Sequence, residues 1–260
     1  MAALGRRRTL RALLAAPALA GAATLGKASA LETGSEATPQ RVDVARFSRL
    51  TPGDALPAQW MHQVLPAVER PNVYSLLADD GGTVLRVLSD HSASTLVVRT
   101  AVDPNRLPWL KWRWWVAKAV AGSDLRRKTG DDYAARLYVL FDLSVERLSV
   151  GERLKLSTAR LLYGEELPAA ALCYVWGTAQ APGESAWNAY TDRVRMIVVD
   201  AGNAHAKQWR RVTRDVAADY RSAFASPVPR ISAVVFGADT DNTGDRCETR
   251  FGDVWFEPSG

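Results

Sequence analysis

Trp109-Leu110-Lys111-Trp112-Arg113-Trp114-Trp115-Val116-Ala117 decides the fold class. Leu110, Trp112, Trp114 and Val116 are apolar at every second position, while Lys111, Arg113 and Trp115 stand between them. Successive side chains of a strand point to opposite faces, so this alternation describes a strand with one greasy side and one polar side. Runs of comparable strand character follow at residues 72–78, 83–88, 94–100, 132–141, 170–176, 191–199, 231–238 and 252–256. Asp79-Asp80-Gly81-Gly82 separates two of them as a hairpin turn would, and Asp103-Pro104-Asn105 marks another break. Many short strands punctuated in this way predict a mostly β chain folded as a β-sandwich.

Two segments carry a different period. Residues 149–163 place Leu154, Leu161 and Leu162 at helical spacings and stop at Gly164, and residues 215–225 place Val216, Tyr220 and Phe224 four apart. About two helices beside the sheets are therefore expected.

The chain has 260 residues, 47% hydrophobic and 23% charged, which excludes disorder, collagen and a polytopic membrane protein. Its net charge of +5 comes from one end. Residues 1–30 hold Arg6, Arg7, Arg8, Arg11 and Lys27 with no acid, leaving 28 of the 33 basic groups against 28 acidic groups in the remainder. A neutral body gives no electrostatic reason to expect nucleic acid as a partner. Arg6-Arg7-Arg8, the apolar run 12–25 and Ala28-Ser29-Ala30 follow the order of an export signal. The run is shorter than the roughly twenty residues that span a bilayer, so no stable membrane insertion is expected after cleavage. The organisation expected is a signal peptide at 1–30, a flexible tether at 31–41 and one β-sandwich domain at 42–260, in a periplasmic or secreted protein.

Alternation also sorts the polar positions. In residues 131–141 the set Tyr133, Ala135, Leu137, Val139, Phe141 is apolar, and Asp132, Arg136 and Tyr138 lie opposite. In residues 191–199 Val194, Met196 and Val198 are apolar, and Arg193 and Arg195 lie opposite, after Asp192. Placed in one sheet with Trp109–Ala117, these strands gather Lys111, Arg113, Asp132, Arg136, Tyr138, Asp192, Arg193 and Arg195 on one face. Planar guanidinium forks beside aromatic rings suit a glycan or another oxygen-rich, anionic small molecule. Of the nine tryptophans, Trp112 and Trp114 read as core, and Trp115, Trp176 and Trp187 as an exposed platform.

Other chemistry is thin. Asp131 and Asp132 are adjacent, so on a strand they point apart and cannot act as a facing acid/base pair; Asp132 is expected to pair with Arg136. Asp239-Thr240-Asp241-Asn242-Thr243-Gly244-Asp245 imitates the start of a calcium loop, but Arg250 stands where the bidentate glutamate belongs, which excludes an EF-hand. A looser Ca2+ site at Asp239 and Asp241 competes with a self-capped turn, and no other cofactor is indicated. Cys173 and Cys247 read as two free thiols, the first in an apolar run and the second in a polar loop. His62, His91 and His205 have no metal-ligand spacing, and no nucleophile elbow or phosphate-cradling loop occurs.

Six strings occur in order: residues 130–136 (GDDYAAR), 159–164 (ARLLYG), 171–176 (ALCYVW), 190–196 (YTDRVRM), 214–221 with Arg214, Asp215, Val216, Asp219, Tyr220 and Arg221, and 239–244 (DTDNTG). Together they resemble a family of exported bacterial proteins, domain of unknown function 3047, over roughly Phe47 to Phe256. The sequence departs from that pattern at Trp115, where the resemblance implies lysine, and at Gly177 and Cys247. The closing order of Trp209, a helix, strand 231–238, an acidic loop and Phe251-Gly252-Asp253-Val254-Trp255-Phe256 is similar to galactose-binding-like jelly rolls, which implies a sandwich of that type. The function expected is a non-catalytic binding protein. The alternatives are a hydrolase or lyase acting on an acidic polysaccharide, with Asp132 or Asp192 moving protons, and an envelope structural protein.

Overall fold

The computed structural model describes residues 41–64, 68–79, 81–143 and 170–259. Two seven-stranded sheets pack face to face as a β-sandwich. The first sheet contains β1 (Val42–Ala45), β3 (Val73–Asp79), β4 (Gly82–Asp90), β6 (Trp109–Val116), β11 (Arg210–Asp215), β13 (Arg246–Phe251) and β14 (Val254–Glu257). The second contains β2 (Met61–Val64), β5 (Ala93–Val102), β7 (Arg136–Phe141), β8 (Ala171–Gly177), β9 (Ser185–Asn188), β10 (Thr191–Ala201) and β12 (Ile231–Asp239), in the order β2-β5-β12-β7-β8-β10-β9. All pairings are antiparallel except β8 with β10, which run parallel.

Strand β6 is the axis of the first sheet. Trp109–Lys111 pairs with β14, Trp114–Val116 pairs with β13, and β11 pairs with residues 109–114 along the other edge. Its apolar set is buried as the alternation predicts, with Trp112 and Trp114 at 2% and 0% exposure. Trp112 lies 5.3 Å from the Tyr174 ring and Trp114 lies 6.0 Å from Trp176, so aromatic rings from both sheets meet across the sandwich. Phe251 and Phe236 extend the same layer, at 5.2 Å. Helix α1 (Val216–Phe224) closes one end of the core. Asp215 caps it by accepting from the Ala218 amide at 2.8 Å, Ala225 ends it at φ 48°, and Tyr220 packs 4.4 Å from Phe141.

Several expectations need correction. Strands β1, β2, β9, β11 and β13 carry no clear apolar alternation and were not expected. Cys247 lies on β13 rather than in a loop, because Cys247, Thr249 and Phe251 turn inward while Arg246, Glu248 and Arg250 turn out. It is buried, as is Cys173, and both thiols are free. Burial pushes the Cys247 thiol up to about 11, which makes it inert at neutral pH. Trp176 is fully buried and belongs to no exposed platform. The expected strand at 132–141 begins only at Arg136, because residues 131–135 form an irregular approach whose side chains pack or cap. The expected helix at 149–163, the signal at 1–30 and most of the tether lie outside the described residues. Among the described residues, no helix is long and apolar enough to cross a membrane.

Trp114→Ala should cost about 3–5 kcal/mol in chemical denaturation, because the space it leaves faces aromatic rings on both sheets.

Candidate functional site

The expected convergence of five cations does not occur, and the sheet pairing explains why. Strand β6 belongs to the first sheet and β7 and β10 to the second, so Lys111 and Arg113 face outward on the opposite side of the sandwich from Arg136. Within the second sheet, Tyr138 shares a face with Cys173 and Met196, whereas Arg195 registers with Leu172 and Val139 on the other face. Arg193 and Arg195 therefore lie on the core side, at the margin under α1. Arg195 donates to Ser185 at 2.8 Å and covers the half-buried Trp187, whose far edge meets Phe224. Arg193 lies 3.7 Å from the exposed Asp192. Lys111 is bonded to Glu257, and Arg113 stacks on Trp209 at 4.3 Å.

A polar seam does form around Arg136 on the outward face of the second sheet, built by three of the strings singled out above. The turn Lys128–Gly130 delivers Asp131. Gly130 is required there, since a Cβ would come within 2.8 Å of Asp124 Cβ and the Gly122 carbonyl. Arg136, only 2% exposed, donates from Nη2 to the Asp131 carbonyl, to Asp131 Oδ1 at 3.2 Å and to Asp239 Oδ2 at 2.7 Å, and from Nη1 to the Tyr138 hydroxyl at 3.1 Å. Its guanidinium lies 4.7 Å from the Tyr133 ring centroid, and its Nε has no hydrogen-bond partner among the described residues. Asp131 Oδ2 accepts from Asn188 Nδ2 at 3.0 Å. Tyr190, two residues on and 36% exposed, bonds to the Lys128 carbonyl and forms the rim. Cys173 lies behind, beside Tyr138 in the register of β7 and β8.

Asp132 does not pair with Arg136. It is fully buried and points to the following loop, accepting from Asn242 Nδ2 at 3.0 Å and from the Thr243 amide and hydroxyl at 2.7 Å each. Thr240 closes the same loop through Ser89, hydroxyl to hydroxyl at 2.8 Å. Asp131 and Asp132 thus point apart, as adjacency implies, and Asp132 is too enclosed to move a proton for a substrate. Among the described residues, no group of three or more His, Cys, Asp or Glu side chains is arranged to hold a metal; Asp239 faces Arg136, and Asp241 stands at the exposed shoulder of the loop.

The electrostatics follow from one cation among several acids. Burial, opposed by Arg136 and reinforced by Asp131, Asp241 and Asp132, pushes the Asp239 carboxyl up to about 8. Burial also raises the Tyr138 hydroxyl far above its ordinary value, so it remains a donor. With Asp131 and Asp239 both bonded to a single guanidinium, the seam presents hydrogen-bonding oxygens rather than positive charge. Sequence reasoning identified Arg136, Tyr138 and Asp239 but missed Asn188 and the pairing of Arg136 with Asp131 and Asp239. Only the bend of the chain at Gly130 assigns that partner.

The family model for the proteins described as "Protein of unknown function (DUF3047)" matches residues 58–255, and the chain belongs to that family. No match is found among the curated proteins. Similar solved structures include the family 30 carbohydrate-binding module of a cellulosomal cellulase of Clostridium thermocellum, at 10% identity and a TM-score of 0.42 over 84% of this chain and 98% of that one. The family 11 carbohydrate-binding module from Clostridium thermocellum, in complex with a β-1,3-1,4-mixed-linked tetrasaccharide, has 7% identity and a TM-score of 0.41, covering 85% and 96%. The xyloglucanase domain of NopAA, a type three effector from Sinorhizobium fredii, has 8% identity and a TM-score of 0.42, covering 80% and 96%.

The raised Asp239 carboxyl makes stability depend on pH. A carboxyl whose pKa rises from 3.8 to about 8 on folding contributes stability that is fully present below about pH 4 and is lost as pH rises through about 8. The thermal midpoint should therefore fall between those limits. Asp239→Asn, which keeps an oxygen for Arg136, should flatten that slope in calorimetry, and an equally steep fall in the variant would refute the assignment.

Proposed function

We propose that this is an exported, non-catalytic protein that binds a neutral, hydroxyl-rich glycan at the Arg136 seam. The observation that carries this reading is the hydrogen-bonded set Asp131, Arg136, Asp239, Tyr138 and Asn188, with both carboxylates partly exposed, at 12% and 15%. Arg136 already faces Asp131 and the Asp239 carboxyl, so it has no unpaired positive charge left for an anionic ligand, whereas sugar hydroxyls can exchange hydrogen bonds with both groups. Tyr190 stands at the rim, its hydroxyl on the Lys128 carbonyl and the Lys128 ammonium 5.0 Å from its ring centroid. Export rests on the basic, apolar and small-residue succession of residues 1–30.

A glycan array with the mature chain should return neutral oligosaccharides in preference to uronates. Asn188→Ala should weaken binding at least about tenfold, or about 1.4 kcal/mol, with little change in thermal midpoint. Unchanged binding in that variant would overturn the reading.

One observation favours a second reading, hydrolysis at the same seam. The Asp239 carboxyl holds its proton near neutrality, the state a general acid requires, with Asp131 across the guanidinium. In that case Asp239→Asn abolishes the release of reducing ends while glycan binding persists; under the first reading the native protein releases none.

A further inference from the structure

A second feature lies on the opposite side of the sandwich and is independent of the Arg136 seam. In the pairing of β6 with β11, Arg113 and Arg211 are directly opposite. Their neighbours Trp112 and Val212 are buried, so both arginines face outward. Like charges directly opposite on one face of an antiparallel pair repel, and sheets ordinarily place an acid there. Other cations on this face have acids: Lys111 bonds to Glu257, Arg86 to Glu248 at 2.8 Å, and Arg250 to Asp79 at 3.0 Å and Glu248 at 2.7 Å. Among the described residues, neither Arg113 nor Arg211 bonds to a carboxylate. The nearest acid in sequence to the Arg113 seat, Asp253, is committed to the Ser48 amide at 2.9 Å and its hydroxyl at 2.6 Å.

Arg113 is nevertheless fixed in place. Its guanidinium stacks 4.3 Å from the Trp209 ring centroid, and its stem lies across Gly252, where a Cβ would come within 2.5 Å of Nε and 2.6 Å of Cγ. Gly252 thus leaves the space in which Arg113 lies flat, while Arg211 is exposed beside it. One held fork and one adaptable fork, side by side without an acid, can share an oxyanion between them. Half-buried Trp115 and Trp255 stand along the same face. Each carries a guanidinium over its ring, Arg250 on Trp115 at 4.2 Å and Arg41 on Trp255 at 4.3 Å, so guanidiniums flank the pair, and successive carboxylates of a polymer meet more of them than a lone anion does.

We propose that Arg113 and Arg211 form an anion site that receives a carboxylate of an acidic polysaccharide on the outward face of the first sheet. The test is titration calorimetry of the full chain with polygalacturonate, galacturonate monomer and a neutral galactan. The polymer should bind, more weakly as salt is raised, and the galactan should not bind at this face. Arg211→Glu places an acid opposite Arg113. It should lower polymer affinity at least about tenfold while raising the thermal midpoint by about 1–3 °C, because the cross-strand repulsion becomes attraction. Gly252→Ala, which displaces the Arg113 stem, should weaken polymer binding in the same direction. Asn188→Ala should leave polymer binding intact, which separates this site from the seam on the other sheet. Unchanged polymer affinity in both Arg211→Glu and Gly252→Ala would overturn the proposal, as would monomer binding as tightly as the polymer.

Discussion

A guanidinium taken out of water is the constraint around which the second sheet's polar chemistry is arranged. Removing such an ion from solvent costs several kcal/mol unless acceptors surround it, and the penalty falls on whatever the chain can bring near. Arg136 at the start of β7 is surrounded by two groups close in sequence, Asp131 from the preceding turn and Tyr138 from its own strand, and one distant group, Asp239 from the end of β12. Asp131 in turn fixes Asn188 at the end of β9. Asp132, one residue from Asp131 and turned the other way, ties down the loop after Asp239. Two neighbouring acids thus serve two separate tasks, one electrostatic and one as a cap. Strings that look unrelated along the chain converge because each supplies an acceptor or a donor to one region.

The same reasoning applies at the other end of the core, where Asp219 on α1 accepts from Arg214 at 2.5 Å and from the Tyr174 hydroxyl at 2.8 Å. Here too an acid five residues from its arginine is bonded to it, and the network anchors the helix to both sheets. A buried acid–base cluster is therefore not by itself a sign of binding. What distinguishes the Arg136 seam is that two acidic side chains share one guanidinium.

Alternation within strands was legible wherever one face carries large apolar groups. Leu110, Trp112, Trp114 and Val116 on β6, and Leu137, Val139 and Phe141 on β7, fall inside as their spacing implies. Pairing between strands was not legible. Nothing in the spacing of Lys111, Arg136 and Arg195 says that β6 joins the other sheet, or that β8 separates β7 from β10 in a register that sends Arg195 toward the core side. A one-residue change of register exchanges the two faces, so a face assembled from separate strands depends on information that no single strand contains. Short strands such as β13 escaped notice because charge on the outward positions outweighs three inward residues in any local reading. The partners of Arg136 depend on the bend at Gly130, which is a backbone packing requirement rather than a pattern.

The order of the second sheet has one more consequence. Its two outermost members, β2 and β9, are each four residues long, while the longer β5 and β10 lie within. Because β10 runs alongside β8 in the same direction and takes β9 against Thr191 and Arg195–Ile197 on its other side, the longest strand of the sheet is partly screened from a passing chain. Edge-to-edge stacking into fibres needs a long, flat row of unpaired amides and carbonyls, and the margins here are too brief to template one.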